Sequence, residues 1–282
     1  MPDHKGGRGQ SFRHPMNSER GSSNPMSHIK GVLFDLDGVL CVGSRTVEGA
    51  PEAVRRIRAA GYPLRVVTNT STQSLASLHG RLAKLGFDIE GAEILSAPQA
   101  VLRYLKRHGS PPCALLLAED VKRDFADIAE TDIEQADSIV IGDIGEAWSY
   151  SLLNRAFNRL IQGARLIAVH KNRFWQTETG LNMDIGGFVA ALEYCSGVEA
   201  TVMGKPSPDF FRIALQDMGL TAEEAAIVGD DIDADVGGGQ KAGLTGILVK
   251  TGKYRERYAD ASSIRPDGII DSVSELPALL GL

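Results

Sequence analysis

The chain reads as an α/β protein: a parallel sheet wrapped by helices, interrupted by a smaller inserted module. Three observations predict this. From residue 29 to residue 108, apolar runs and amphipathic stretches alternate as strand and helix, the order of a parallel sheet with helices on both faces. At Gly109-Ser110-Pro111-Pro112 the rhythm breaks on residues that favour turns. After about residue 184 the alternation resumes and runs to residue 282.

Taken in order, residues 1–28 are polar and rich in Gly, Ser, Arg and His. They lack the apolar core of a secretory signal, and a disordered extension is expected, with Met16 or Met26 as alternative starts. Val32-Leu33-Phe34 is a short apolar run and reads as a buried strand. It ends in Asp35-Leu36-Asp37-Gly38, where residues two apart share a face and glycine permits a sharp turn. Pro51–Ala60 has helical apolar spacing and stops at Gly61. Leu64–Val67 is a second strand, leading into Thr68-Asn69-Thr70-Ser71-Thr72. Ser74–Leu85 places Leu75, Leu78, Leu82 and Leu85 on one helical face, and Gly86 ends it. Glu93–Ala97 is a strand, and Pro98 opens a helix to about His108.

Beyond the linker, Ala114–Leu117, Ser138–Ile141 and Arg165–Val169 read as short strands, with a helical pattern over Tyr150–Leu160. Residues 109–183 are therefore expected to form a smaller α+β module, with 29–108 and 184–282 as the main unit. Gly186–Tyr194 reads as a helix leading back to the main unit. Its sheet is expected to resume with Ala200–Met203, then Ala225–Val228, Thr245–Val249 and Gly268–Ile270. Helices near 208–218, 233–242 and 274–280 separate these strands.

With 282 residues, 43% of them hydrophobic, the chain can bury a sizeable core. Thirty basic and 36 acidic residues give a formal net charge of −6, which offers no footprint for nucleic acid or an anionic membrane. No apolar run reaches membrane-spanning length. The three cysteines, Cys41, Cys113 and Cys195, are widely spaced and odd in number. They form no metal or disulfide pattern, and the cytoplasm is the expected compartment.

Four stretches fall at the C-terminal ends of expected strands: Asp35-Leu36-Asp37, Thr68-Asn69, Gly204-Lys205-Pro206 and Gly229-Asp230-Asp231. In an open parallel sheet, ligands bind at that edge. Two carboxylates at the end of a buried strand repel each other unless a cation or proton offsets them. Carboxylates suit Mg²⁺, usually shared with substrate phosphate. A lysine suits a phosphate oxygen, and a hydroxyl-rich turn opening a helix suits an anion. The set complements a phosphoryl group plus Mg²⁺. Taken singly, each residue has a plainer reading. Thr68 can be a helix N-cap, Lys205 a solvated loop residue, and Asp231, Asp233 and Asp235 can favour the positive end of the helix that follows. Gly237-Gly238-Gly239 is expected to serve close helix–sheet packing, and Cys41 to be a small packed residue.

In this order the four stretches resemble the four motifs of the haloacid dehalogenase (HAD) superfamily of Mg²⁺-dependent phosphohydrolases. The module between the second and third resembles the C2-type cap of its class IIA phosphatases. The likeness covers roughly residues 29–282 and extends through Gly204–Phe211, Gly229–Gly238 and Val249–Arg255. It implies a Rossmann-like parallel-sheet HAD core with an inserted α+β C2-type cap.

It also implies roles. Asp35 would be the nucleophile that forms an aspartyl-phosphate. Asp37 would be general acid and then general base, and neighbouring carboxylates could raise its pKa. Asp35, the Asp37 carbonyl and Asp230 would hold Mg²⁺. Thr68, Asn69 and Lys205 would bind the phosphoryl group. Asp231 and Asp235 would orient metal waters or Lys205. Some class IIA members carry serine at the place of Asp37, whereas this chain keeps the full Asp-x-Asp.

In the cap, His170-Lys171-Asn172-Arg173-Phe174-Trp175 mixes cations with aromatics after a strand. His170, Asn172, Arg173 and Trp175 are candidates for substrate selection, against an amphipathic surface loop with snorkelling side chains. Asp143, Glu146 and Trp148 are further candidates of the same kind. The expected activity is hydrolysis of a small phosphorylated metabolite: a phosphomonoester, with pyrophosphate and phosphoamidates also among the candidates. Caps of this class often contribute to dimers, so a homodimer is one expected assembly. The alternatives are a catalytically silent HAD-fold binding or regulatory protein, and a metal-free dehalogenase that leaves Asp37 unexplained.

Overall fold

The computed structural model describes residues 24–177 and 180–282. The strands of the main sheet are short, continuous apolar runs, which is what burial on both faces requires. Its six strands are β1 (Gly31–Asp35), β4 (Leu64–Thr68), β5 (Ile94–Ser96), β12 (Ala225–Gly229), β13 (Thr245–Val249) and β14 (Gly268–Ile270). They lie in the order β14-β13-β12-β1-β4-β5, and every pairing is parallel. The chain runs outward from β1 through β4 and β5, then returns on the other side of β1 through β12. The order therefore reverses beside β1, where an open α/β sheet has its ligand crevice.

Alternate residues of β1 feed two cores. Val32 and Phe34 pack with helix α1 (Ala50–Ala59), α2 (Leu75–Lys84) and α10 (Leu276–Leu280). Leu33, on the opposite face, packs with α3 (Ala97–Arg107) and α7 (Pro208–Met218). A short hairpin, β2 (Cys41–Val42) with β3 (Arg45–Thr46), follows the turn at Gly38.

The cap has its own four-stranded parallel sheet: β6 (Cys113–Leu116), β7 (Ser138–Ile141), β8 (Arg165–Ala168) and β11 (Thr201–Val202), in the order β11-β8-β7-β6. One face packs on α5 (Tyr150–Ile161) and α6 (Gly186–Ser196). The other, through Leu115, Val140 and Ile167, joins the core shared with α3 and α7, as does Phe125 after α4 (Glu119–Lys122). An antiparallel hairpin, β9 (Phe174–Thr177) with β10 (Gly180–Met183), projects from the cap. Helices α8 (Gly238–Lys241) and α9 (Glu256–Ala261) complete the main unit.

Two expectations are corrected. Residues Thr201–Val202 pair with β8 of the cap, not with the main sheet, and α6 packs in the cap core through Val189 and Leu192. The return to the main sheet thus comes after Val202 rather than at residue 184. At the other end, residues 24–28 are ordered against the main unit. Met26 is buried, Asn24 Nδ2 donates to the Leu279 carbonyl at 3.0 Å, and His28 Nε2 lies 3.1 Å from Thr245 Oγ1. The expected disorder of residues 1–23 lies outside the described residues. Among the described residues, no helix is long and apolar enough to cross a membrane.

Candidate active site

Parallel pairing brings the ends of β1, β4 and β12 to one edge, so Asp35, Thr68 and Asp230 meet there although far apart in sequence. Asp35, Thr68, Lys205, Asp230 and Asp235 are all buried. Burying an ion is costly unless it is paired, and the pairing is present. Lys205 Nζ lies 2.5 Å from Asp35 Oδ1 and 2.7 Å from Asp235 Oδ1. Burial opposes the charge on Lys205, but Asp235 and Asp35 outweigh it and hold the ammonium above the usual lysine range. Burial raises the Asp35 carboxyl well above its ordinary value, with Lys205 working against the shift. Burial, with Asp235 adding to it, pushes Asp230 up to about 7.

The backbone around Asp230 is unusually close. A Cβ on Gly38 would sit 1.9 Å from Asp230 Oδ2, and one on Gly252 would sit 2.1 Å from the same oxygen. Both glycines have the positive φ that side chains disfavour. Asp230 Oδ2 accepts the Lys253 N–H at 2.6 Å, while the buried Oδ1 has no donor among the described residues. One ligand atom each from Asp35, Asp230 and Asp235 can lie within 4.8 Å of the others. A buried, all-oxygen set that includes an Asp230 oxygen with no donor among the described residues fits a hard divalent cation such as Mg²⁺.

Asn69 fastens the lysine loop from across the site. Its Oδ1 accepts the Lys205 N–H at 2.8 Å, and its Nδ2 donates to the Lys205 carbonyl at 2.9 Å and to Asn172 Oδ1 at 3.3 Å. Gly204 has to lack a side chain here, since a Cβ would lie 2.6 Å from Asn69 Oδ1. Thr68 Oγ1 accepts the Thr70 N–H at 3.0 Å and lies 2.8 Å from Thr70 Oγ1. The N-cap of α2 is Ser74, not Thr68.

The remaining expected residues separate. Asp37 is half-exposed and turns to Arg81 and Thr70, at 2.7 and 3.0 Å. Asp231 Oδ1 accepts the N–H groups of Asp233 and Ala234 and so caps the following helical turn, while Asp235 contacts Lys205. Gly238 and Gly239 pack tightly on Pro206 and Ile227. Cys41 is buried, and burial pushes its thiol up to about 12.

In the cap, Asn172 and Arg173 line a cavity of about 460 Å³ beside Asp230, Asp231, Lys253 and Tyr258. Trp175 is partly exposed on β9. His170 does not line this cavity. It is buried, with Nε2 3.3 Å from Ser71 Oγ and 3.9 Å from Asp184 Oδ1, and Nδ1 accepts the Asn172 N–H at 3.3 Å. That acceptor role puts its proton on Nε2. Burial, aided by Lys253 and Lys205, lowers its pKa to about 3, so the ring is neutral. Asp143 lines a second cavity, between the cap strands and Thr72, and Trp148 stacks on Phe188. Thr70, Arg81 and the Lys253 N–H were not expected. Arg81 follows Leu78 by three positions on α2, the only signal that its side chain borders the buried stripe.

Comparison with known proteins agrees with this geometry. Residues 32–131 match the family described as haloacid dehalogenase-like hydrolase, and residues 202–276 match HAD-hydrolase-like. The chain is 40% identical to phospholysine phosphohistidine inorganic pyrophosphate phosphatase of Mus musculus over 90% of this chain and 95% of the relative. It is 43% identical to human haloacid dehalogenase-like hydrolase domain-containing protein 2, over 84% and 90%. Among solved structures it resembles p-nitrophenyl phosphatase from Archaeoglobus fulgidus, at 29% identity and TM-score 0.84, covering 90% of this chain and 99% of that one. Glycerol phosphate phosphatase from Mycobacterium tuberculosis in complex with magnesium is 25% identical with TM-score 0.78, covering 89% and 78%. With its parallel core sheet, separate cap sheet and buried aspartate site, the chain belongs to the haloacid dehalogenase-like hydrolases, among the class IIA phosphatases.

Proposed function

We propose that the protein is a Mg²⁺-dependent phosphatase of a small phosphorylated metabolite, working through an aspartyl-phosphate on Asp35. The observation that carries this is the buried Asp35–Lys205 contact at 2.5 Å beside Asp230, whose Oδ1 has no donor among the described residues. Asp35, Asp230 and the Asp37 carbonyl would hold the metal, which supplies charge neutralisation at the phosphoryl oxygens. Lys205 shares that task, and Thr68 with the Asn69 N–H receives the phosphoryl group. Asp235 and Asp231 support from behind, Asp235 by fixing Lys205.

In the first half, an Asp35 oxygen bonds to phosphorus as the bond to the leaving oxygen breaks, and that oxygen takes a proton from Asp37. In the second, a water oxygen bonds to phosphorus, the Asp35–phosphorus bond breaks, and the water's proton goes to Asp37. Asn172 and Arg173, which line the cavity beside Asp230, are assigned to the leaving group, with Trp175 on β9 as a further candidate. His170, buried behind Asn172, supports that loop. The names of the relatives bring pyrophosphate, phosphoamidates, aryl phosphates and glycerol phosphate into the candidate set. The cytoplasm as compartment rests on three free cysteines.

The test is inorganic phosphate release from phosphomonoesters, pyrophosphate and phosphoamidates, with Mg²⁺, with EDTA and with Asp35→Asn. Release that needs Mg²⁺ and is lost in a folded Asp35→Asn protein is the expected result. No release from any compound by a folded, Mg²⁺-binding parent would favour the silent binding protein.

A further inference from the structure

The carboxylate that handles the proton is held by a residue outside the four motifs. Arg81 Nη2 donates to Asp37 Oδ1 at 2.7 Å. The same nitrogen also reaches the Gly43 carbonyl at 3.0 Å and Cys41 Sγ at 3.2 Å. The guanidinium is thus fixed to the β2–β3 hairpin as well as to Asp37. Helix α2, which carries Arg81, is itself seated by the buried Leu78 and Leu82. Arginine has donors only, set in a rigid plane, so it has no way to turn and become an acceptor.

The other oxygen has a partner of a different kind. Asp37 Oδ2 accepts from Thr70 Oγ1 at 3.0 Å, and Thr70 Oγ1 lies 2.8 Å from Thr68 Oγ1. A hydroxyl rotates and both donates and accepts. A phosphoryl oxygen arriving at Thr68 offers the Thr70 hydroxyl a new acceptor next to its present one. Oδ2 can therefore be released while Oδ1 stays on its charged anchor.

Resting on the phosphatase reading, we propose that Arg81 is the positioning residue of the acid–base step. It holds Asp37 by Oδ1 and leaves Oδ2 as the oxygen that gives its proton to the leaving group and takes one from the attacking water. Asp37 freed from Arg81 swings in the open mouth of the site, where its side chain is 46% exposed, and meets the reacting oxygen less often.

The experiment compares the full-length parent, Arg81→Gln and Arg81→Lys in Mg²⁺ on two probes. p-Nitrophenyl phosphate has a leaving group that departs without a proton, whereas glycerol phosphate has one that needs it. For Arg81→Gln the expected result on the aryl ester is a burst of about one nitrophenolate per enzyme at the parental rate. A steady state slowed about 10–100-fold follows, because water attack lacks its base. Glycerol phosphate turnover falls at least as far, with no burst, and Arg81→Lys recovers part of both. A second check is that Arg81→Gln adds no loss in an Asp37→Asn background, as residues acting through one group should not add. Parental steady-state rates on both esters would overturn the proposal, as would equal slowing of the first aryl turnover and the steady state. If Arg81→Gln does not fold, Arg81→Lys decides: a burst with slowed turnover supports the proposal and parental kinetics overturn it. A parent that releases no phosphate from these esters, from pyrophosphate or from phosphoamidates overturns the phosphatase reading itself, which is a separate outcome.

Discussion

His170 shows how a polar residue in a motif-like stretch can be structural. Its sequence position, after a strand and among cations and aromatics, is that of a substrate contact, yet the ring is buried between Ser71 and Asp184. Its pKa is about 3 in the fold against an ordinary value near 6.5, so between those values the unfolded chain binds more protons. Stability is therefore full above about pH 6.5 and falls as pH drops toward 3, by up to about 1.4 kcal/mol per pH unit. Asp230 and Asp35, held above the ordinary carboxyl range, oppose this slope, so the His170 part is read as a difference: denaturant midpoints of the parent and His170→Gln should lie furthest apart at pH 8, with the variant less stable, and converge as pH is lowered to 4. The residues at strand ends were legible because burial of both faces forces apolar runs, and the polar residue that ends such a run has few other places to be. Thr70 and Arg81 were not, because a threonine in a polar turn and an arginine on an amphipathic helix satisfy the same patterns with or without a partner.

At the scale of elements, α2 links cap and core. Its first free N–H groups are taken by cap carboxylates: Asp120 Oδ2 accepts from Ser74 N at 2.8 Å, and Asp124 Oδ2 from Leu75 N at 2.8 Å. The Ser74 N–H also lowers the Asp120 pKa. Replacing either aspartate by alanine should cost about 0.5–2 kcal/mol, the usual loss of a helix cap. Urea midpoints of Asp120→Ala and Asp124→Ala measure it, and unchanged midpoints would remove α2 as the seat of the cap. Most elements could be read from hydrophobic period and turn residues. The failure at Thr201–Val202 has a physical cause: a two-residue strand carries no period, and an apolar pair does not say which of two sheets it joins. The two hairpins escaped notice for the same reason, being short and partly exposed.

For the whole molecule, one apolar core runs from Leu33 and Val67 of the main sheet through α3 and α7 to Val121, Phe125 and Val140 of the cap. Two units that share a core should unfold together. Calorimetry should show one transition, and Phe125→Ala, at a fully buried ring, should lower its stability by about 3–5 kcal/mol without splitting it. A separate cap transition would contradict this. The α/β class was visible in the alternation of elements, but this sharing was not, since apolar periodicity marks a buried face without naming what covers it. The contact of Asn24 with Leu279, together with that of Arg56 with the Leu282 carbonyl, brings the two ends of the described chain side by side. They lie where the main strands begin, and the aspartates stand where those strands end. A tether or fusion joined at Leu282 would hang from the opposite pole of the molecule, leaving the mouth of the catalytic cleft open to whatever diffuses in.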